Sequence, residues 1–244
     1  MKKKKQLSLG SGIHSVEGNS WKFNKNVANS FDKHVRQSIP FYDQMQNFIC
    51  SISEWFLKDE SIIYDLGCST GETAKNIKNY NFNRNVNFKY VGLDNSDQMI
   101  NLAKKKIKNK NYKFIKSDIN KYKFKKNSDL FISVLLFPFL RLDQREKLLS
   151  KIFKSLKIGG ALILVDKCYS EHPSIQDILT QIYFDQKIKN KLTKNQVLNK
   201  AKSLRGTMSM YQQKEILDFC KKAGFKKIDI FFKWLNFVGI ILVK

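Results

Sequence analysis

The chain is poor in proline, in arginine and in closely spaced cysteine. Its 244 residues contain three prolines (Pro40, Pro138, Pro173), so long helices and strands can run with few forced breaks. Cys50, Cys68, Cys168 and Cys220 have neither CxxC spacing nor a clustered histidine partner, which excludes a zinc ribbon and a disulfide framework. No apolar run reaches the roughly 18 residues of a membrane span. Met1 to Lys5 leads into Gln6, Ser8 and Gly10 rather than into an apolar signal core, so the expectation is a cytosolic, non-membrane protein. Five of the 45 basic residues are arginine, and the formal net charge is +24. Such a charge suits nucleic acid, but the lysines are scattered among Asn and Ile, as A/T-rich coding would give. Few guanidinium forks and no interleaved aromatic platform leave tRNA contact possible but not favoured. The charge will steer anionic substrates toward the chain.

What is present is a βα alternation in one domain, since 42% hydrophobic content and an even composition give one sizeable core. Residues 1–20 read as a flexible basic tail. Residues 21–58 carry Phe31, Val35, Ile39, Tyr42, Met45, Ile49 and Ile52 at helical spacing, divided by Pro40 into two helices that would form a lid. Next comes Ser61-Ile-Ile-Tyr-Asp-Leu-Gly-Cys-Ser-Thr-Gly71. Here a buried strand ends in Asp65, then turns through Gly67, Cys68, Ser69 and Gly71 into a helix from Glu72 to Tyr80, so that bare backbone N–H groups face a ligand. Ser69 stands where a dinucleotide fingerprint would place its second glycine, so the match to that motif is poor.

Two later strands also end in acids. Phe88 to Asp94 closes about 20 residues beyond the turn, where a carboxylate can accept both ribose hydroxyls. Asn95 or Ser96 would cap the following helix, with Met99 as an apolar neighbour for a purine. Tyr112 to Asp118 is a third strand, with Asp118 and the Ile119 backbone suited to an adenine edge. A fourth strand, Asp129 to Leu136, leads to Phe137-Pro-Phe-Leu140 with Val134 at its end. Gly159-Gly160 would stop the next helix before a fifth strand, Ala161 to Asp166. A helical insertion over 168–210 precedes the helix Gln212 to Ala223. The segments 227–233 and 236–243 are joined too tightly for a crossover and must be antiparallel. The expected fold class is therefore α/β: a seven-stranded, mostly parallel sheet with a C-terminal antiparallel hairpin, an N-terminal helical lid and a helical insertion after strand 5.

These segments resemble the class I S-adenosyl-L-methionine (SAM)-dependent methyltransferases, with their Rossmann-like fold. Within them the chain resembles the carboxy-SAM synthases that supply tRNA wobble-uridine modification. The likeness runs from Trp21 to Lys244 through Arg36-Gln-Ser-Ile-Pro-Phe-Tyr42, Tyr64-Asp-Leu-Gly-Cys-Ser69, Leu93-Asp-Asn-Ser-Asp-Gln-Met99, Gly159-Gly-Ala-Leu162, Lys222-Ala-Gly-Phe225 and Trp234-Leu-Asn-Phe237. The resemblance implies a SAM-binding domain over 21–244, with SAM or carboxy-SAM held by Tyr42, Gly67, Cys68, Ser69, Asp94, Asn95, Asp118 and Ile119. It also implies a homodimer.

The sequence departs from that family where the transferred carboxylate is gripped. An Asn late in the fourth strand is replaced by Val134, and Ala201 stands where the family has an Arg. Lys200, Lys202 or Arg205 could substitute only after a small shift, and lysine lacks the guanidinium fork. The apolar run at 134–139 suits methyl transfer to a small molecule, where positioning and desolvation carry much of the rate. That is the favoured expectation. The first alternative is the synthase reaction implied by the resemblance, in which a carboxylate passes from prephenate to the methyl carbon of SAM, giving carboxy-SAM and phenylpyruvate. The second is a tRNA-binding modification factor. His34, Glu171 and Asp166 are candidate bases with no clear favourite, and no catalytic residue is assigned.

Overall fold

In the computed structural model, residues 6–10, 13–16 and 25–244 are described. The core is a parallel sheet made by β3 (Ile62–Leu66), β4 (Lys89–Asp94), β5 (Tyr112–Lys116), β6 (Ser128–Val134) and β7 (Leu156–Tyr169). The final strands β9 (Lys227–Trp234) and β10 (Phe237–Val243) complete it in the order β5-β4-β3-β6-β7-β10-β9. β10 lies antiparallel to both β7 and β9, as the short connection after β9 requires. A two-residue strand, β8 (Tyr211–Gln212), pairs with the end of β7 off this path and adds to the seven expected strands.

Four of the five parallel strands are followed by a helix, because an apolar run needs cover on both faces; β5 runs into β6 without one. α3 (Glu72–Tyr80) follows β3, α4 (Asp97–Lys106) follows β4 and α5 (Leu142–Ser155) follows β6. Ser96 caps α4 by accepting from the Met99 N–H. β7 begins at Leu156, five residues before the expected strand. Gly159 and Gly160 therefore sit inside it, held by Gly159 N–H to Lys244 O and Lys244 N–H to Gly160 O bonds.

The expected lid is α1 (Lys25–Ser38) and α2 (Tyr42–Glu54), with Pro40 between them; Trp21 and Phe23 lie outside the described residues. Lid and core are tied by charge. Glu72 accepts from Arg36 of α1 at 2.6 Å and from Lys106 of α4 at 2.8 Å, and Lys106 also reaches Asp32 of α1 at 2.7 Å. The insertion is α6 (Pro173–Lys189) and α7 (Lys194–Ser203), followed by α8 (Gln213–Ala223). Gly224 closes α8 at φ 115°, and a Cβ there would meet the Phe153 ring at 2.6 Å.

The segment expected to be a tail contains structure. β1 (Gln6–Gly10) and β2 (Ile13–Val16) form an antiparallel hairpin. Leu9 and Ile13 are buried against Val27, Ala28 and Met99, and Asn199 and Gln196 of α7 donate to Ser8. Two buried apolar side chains, Leu9 on one strand and Ile13 on the other, are enough to seat the hairpin, whatever the polarity around them. Among the described residues no helix is long and apolar enough to cross a membrane.

Candidate active site

The C-terminal ends of β3, β4, β6 and β7 open onto one cavity of about 940 Å³, roofed by α1, α2, α6 and α7. This is the carboxyl-end crevice where open α/β sheets hold ligands. Tyr42, Asp65, Gly67, Cys68, Ser69, Asp94, Asn95, Asp118, Ile119 and Val134 all line it.

The turn after β3 is held by its neighbour strand, so the N–H groups of Gly67, Cys68, Ser69 and Gly71, expected to face a ligand bare, are already engaged within the chain. The N–H groups of Gly67 and Cys68 donate to Leu93 O at 2.8 and 2.9 Å. Asp94 Oδ2 accepts from the Ser69 N–H at 3.0 Å, and Asp94 Oδ1 from the Ser96 N–H at 2.9 Å. Gly67 has φ 73°, and a Cβ there would stand 3.2 Å from Leu136 Cδ1, so the backbone of the turn packs directly against the β6 loop. Beneath the turn the Tyr90 hydroxyl donates to Asp65 Oδ2 at 2.6 Å. Burial, opposed by that bond and helped by Asp94, raises the Asp65 carboxyl to about 7. Burial raises Asp94 too, against the three backbone N–H groups that favour its charge.

Two expected site residues stand back from the cavity wall. Met99 is fully buried in the hairpin cluster behind Ser69, whose Oγ lies 3.4 Å from the Met99 sulfur, so it supports the turn rather than facing a purine. Gly71 has φ 77°, and a Cβ on it would come within 3.0 Å of the Ala103 Cβ; it serves the close approach of α4. Of the three candidate bases only His34 lines the cavity. Asp166 is buried elsewhere, its Oδ1 accepting from the Lys167 N–H, and Glu171 is exposed.

The opposite wall carries a group of which the sequence reading named Lys200 and Arg205 but missed Lys167, Tyr183 and Lys187. Lys167 at the end of β7, Tyr183 and Lys187 on α6, and Lys200 on α7 all line the cavity, with Ala201 and Arg205 beside them. Lys187 is 6% exposed, its Nζ 4.0 Å from the Tyr183 ring centroid; Lys167 Nζ is 4.5 Å from the same centroid. Among the described residues neither lysine forms a salt bridge. Burial lowers Lys167 to about 8, and burial with the nearby Lys167 charge lowers Lys187 to about 7. Lys200 is pushed well down by burial and by Lys187. The one available signal was the Tyr183 and Lys187 pair, four residues apart on a helix whose other positions are polar or scattered apolar. Val134, Leu135, Leu136 and Phe139 form the apolar floor between the two walls, as the sequence implied, and Leu135 holds φ 55° at the strand end. Lys202 does not line the cavity; Lys200 and Arg205 do.

Sheet order, crevice and acid-lined turn define an α/β enzyme of the SAM-dependent methyltransferase class. Residues 63–160 match the family described as a methyltransferase domain. Human N-acetylserotonin methyltransferase, solved with SAM, superposes with a TM-score of 0.61 at 16% identity, covering 91% of this chain and 56% of that one. The carboxy-S-adenosyl-L-methionine synthase of Staphylococcus epidermidis (strain RP62A) is 38% identical over 225 residues, 92% of this chain and 97% of that protein. The carboxy-S-adenosyl-L-methionine synthase of Methylococcus capsulatus (strain Bath) is 33% identical over 228 residues, covering 91% and 93% of the two chains. The chain belongs to the carboxy-S-adenosyl-L-methionine synthase family.

Proposed function

We propose that the chain is a SAM-dependent enzyme that forms carboxy-SAM from SAM and an anionic carboxylate donor, prephenate in the reaction implied by the family resemblance. The donor half of the cavity suits SAM: the Gly67 to Ser69 turn lining it would hold the methionyl part, Asp94 the ribose, and Asp118 with Ile119 the adenine edge. Tyr42 and Asn95 complete that set, and Val134 lies at the boundary with the second half. When bound, SAM would supply the acidified sulfonium methyl as the carbon that takes the carboxylate, its proton leaving with the donor's hydroxide as water; the residues of this chain bind and orient both substrates and exclude bulk solvent.

The single observation that carries the reading is the lysine wall. Lys167, Lys187 and Lys200 converge on the cavity from three different elements, where they can hold carboxylates as point charges. Ala201 cannot form the forked contact, and the lysines beside it supply charge in its place. A second reading, methyl transfer to a small acceptor, is favoured by the apolar floor of Val134, Leu135, Leu136 and Phe139. Incubating the purified chain with SAM, with and without prephenate, and reading nucleosides and keto acids by mass spectrometry separates the two. Carboxy-SAM with phenylpyruvate supports the synthase reading. Inert prephenate, with S-adenosylhomocysteine formed only when a methyl acceptor is added, supports the second.

A homodimer is part of the same proposal. Ile175, Ile178 and Ile182 recur along the exposed side of α6 and offer an apolar contact surface, and light scattering after gel filtration would give the mass.

A further inference from the structure

The lysine wall poses an electrostatic problem that the donor half does not share. Lys187 lies below the surface on the Tyr183 ring, with Lys167 on the same ring from β7 and Lys200 approaching from α7. His34 faces them from α1 and is itself held neutral by burial and by Lys200 and Lys187, its value lowered to about 3. The further ring beside Lys187, Phe184 of α6, and the one beside Lys167, Phe237 of β10, are uncharged. The acids on the cavity wall, Asp65, Glu72, Asp94 and Asp118, form no salt bridge with Lys187 or Lys167, and Glu72 is already engaged by Arg36 and Lys106. Lys167 and Lys187, brought onto one ring with no salt bridge to either among the described residues, cannot both carry protons cheaply in an aromatic-lined pocket. The ring faces relieve only part of that penalty.

We propose that this wall binds its anionic substrate together with a proton: the bare Lys187 amine takes a proton from solvent as the anion enters, and the resulting ammonium holds it. The step breaks no bond in the substrate. One proton moves from water or buffer acid to Lys187 Nζ, and one negative charge enters beside it, so the pocket gains no net charge. An apolar molecule draws no proton and gains no ion pair, and a cation meets no negative charge, so the lysine wall favours carboxylates as well as gripping them. The proposal rests on the anion-site reading above.

The direction of the pH dependence follows. Lys187 is lowered to about 7 without the anion, and a bound anion raises it. Below pH 7 the amine is already protonated and affinity is flat. Above pH 7 each unit costs a factor of about ten in affinity, until the pH passes the raised value in the complex.

The test is calorimetric titration of phenylpyruvate into the full chain saturated with S-adenosylhomocysteine, at pH 6.5, 7.5 and 8.5, in phosphate and in Tris. The expected result is binding that weakens about tenfold between pH 7.5 and 8.5, with a buffer-dependent heat equal to uptake of nearly one proton per phenylpyruvate at pH 8.5. Lys187→Met keeps a linear side chain on the Tyr183 ring and should lose both the uptake and the slope, while S-adenosylhomocysteine titration checks that its donor half is folded. Binding with equal heats in both buffers and no pH slope overturns the proton coupling and leaves the anion site standing. Full proton uptake in the Lys187→Met variant overturns the assignment to Lys187. Absence of phenylpyruvate binding at every pH overturns the anion site and this proposal together.

Discussion

The Tyr90 hydroxyl donates to Asp65 Oδ2 over 2.6 Å, and both side chains are buried. This pair lies directly under the glycine turn and keeps a buried carboxyl poised near neutrality at about 7. Tyr90→Phe removes a hydrogen bond to a buried acid, and about 1.5–3 kcal/mol of stability should go with it in urea denaturation. It also removes the main influence lowering Asp65, so SAM affinity should fall several-fold at pH 7 and recover as the pH rises and Asp65 ionises. Unchanged affinity across that range would separate Asp65 from the donor site.

Asp94 uses one oxygen for the Ser69 N–H and the other for the Ser96 N–H, leaving its remaining lone pairs toward the cavity. Asp94→Asn places an amide donor against one of those N–H groups. S-adenosylhomocysteine binding should weaken at least about tenfold, whereas Asp118→Asn, at an exposed position, should change it less than about threefold. Equal effects at the two positions would contradict the assignment of Asp94 to the ribose.

His34 is 3% exposed and stays neutral in the folded chain down to about pH 3, mainly through burial. The unfolded chain protonates it near 6.5, so it binds more protons than the folded chain between those limits. Stability should therefore fall as pH drops below 6.5, by up to about 1.4 kcal/mol per unit from this residue. His34→Gln should flatten that part of the profile. The urea midpoint measured between pH 4.5 and 7 reads both, and parallel profiles for the two proteins would contradict it.

Ala201 faces the cavity next to Lys200. If the lysine wall supplies the grip, Ala201→Arg adds a cation to a site already crowded with them, and carboxy-SAM formation should change by less than about twofold. A tenfold gain would mean that the missing guanidinium limits the reaction.

Leu9 is 1% exposed within the N-terminal hairpin, which also holds α7 through Ser8. Leu9→Ala should destabilise the chain by roughly 2–5 kcal/mol. Because α7 carries Lys200, it should also raise the KM for the anionic substrate more than that for SAM. A loss below about 0.5 kcal/mol would return this segment to the passive tail that its composition suggests.

Asp65, Asp94 and Asp118 were legible because each stands at the end of its own apolar run, and a parallel sheet brings successive strand ends to one edge. The glycine turn, the lid break at Pro40 and the antiparallel pair after Gly224 are likewise local. Chain stiffness and the missing proline N–H decide them wherever they occur. The cavity floor was visible for the same reason, as a run of apolar residues from Val134 to Phe139.

Met99 shows where local reasoning stopped. It lies on α4 just after β4, but the hairpin residues Leu9 and Ile13, some 90 residues away in sequence, draw it into a separate cluster. Gly159 and Gly160 read as a helix stop, yet pairing with Lys244 extends the strand through them. By itself the sequence determined the alternation of strands and helices, the acids at the strand ends and the absence of the forked arginine, because these depend on residue type and spacing along one segment. Only the tertiary structure decided that Lys167, Lys187 and Lys200 share a wall. Three elements must pack before those amines meet, and burial and mutual repulsion, which give them their chemistry, do not exist until they do.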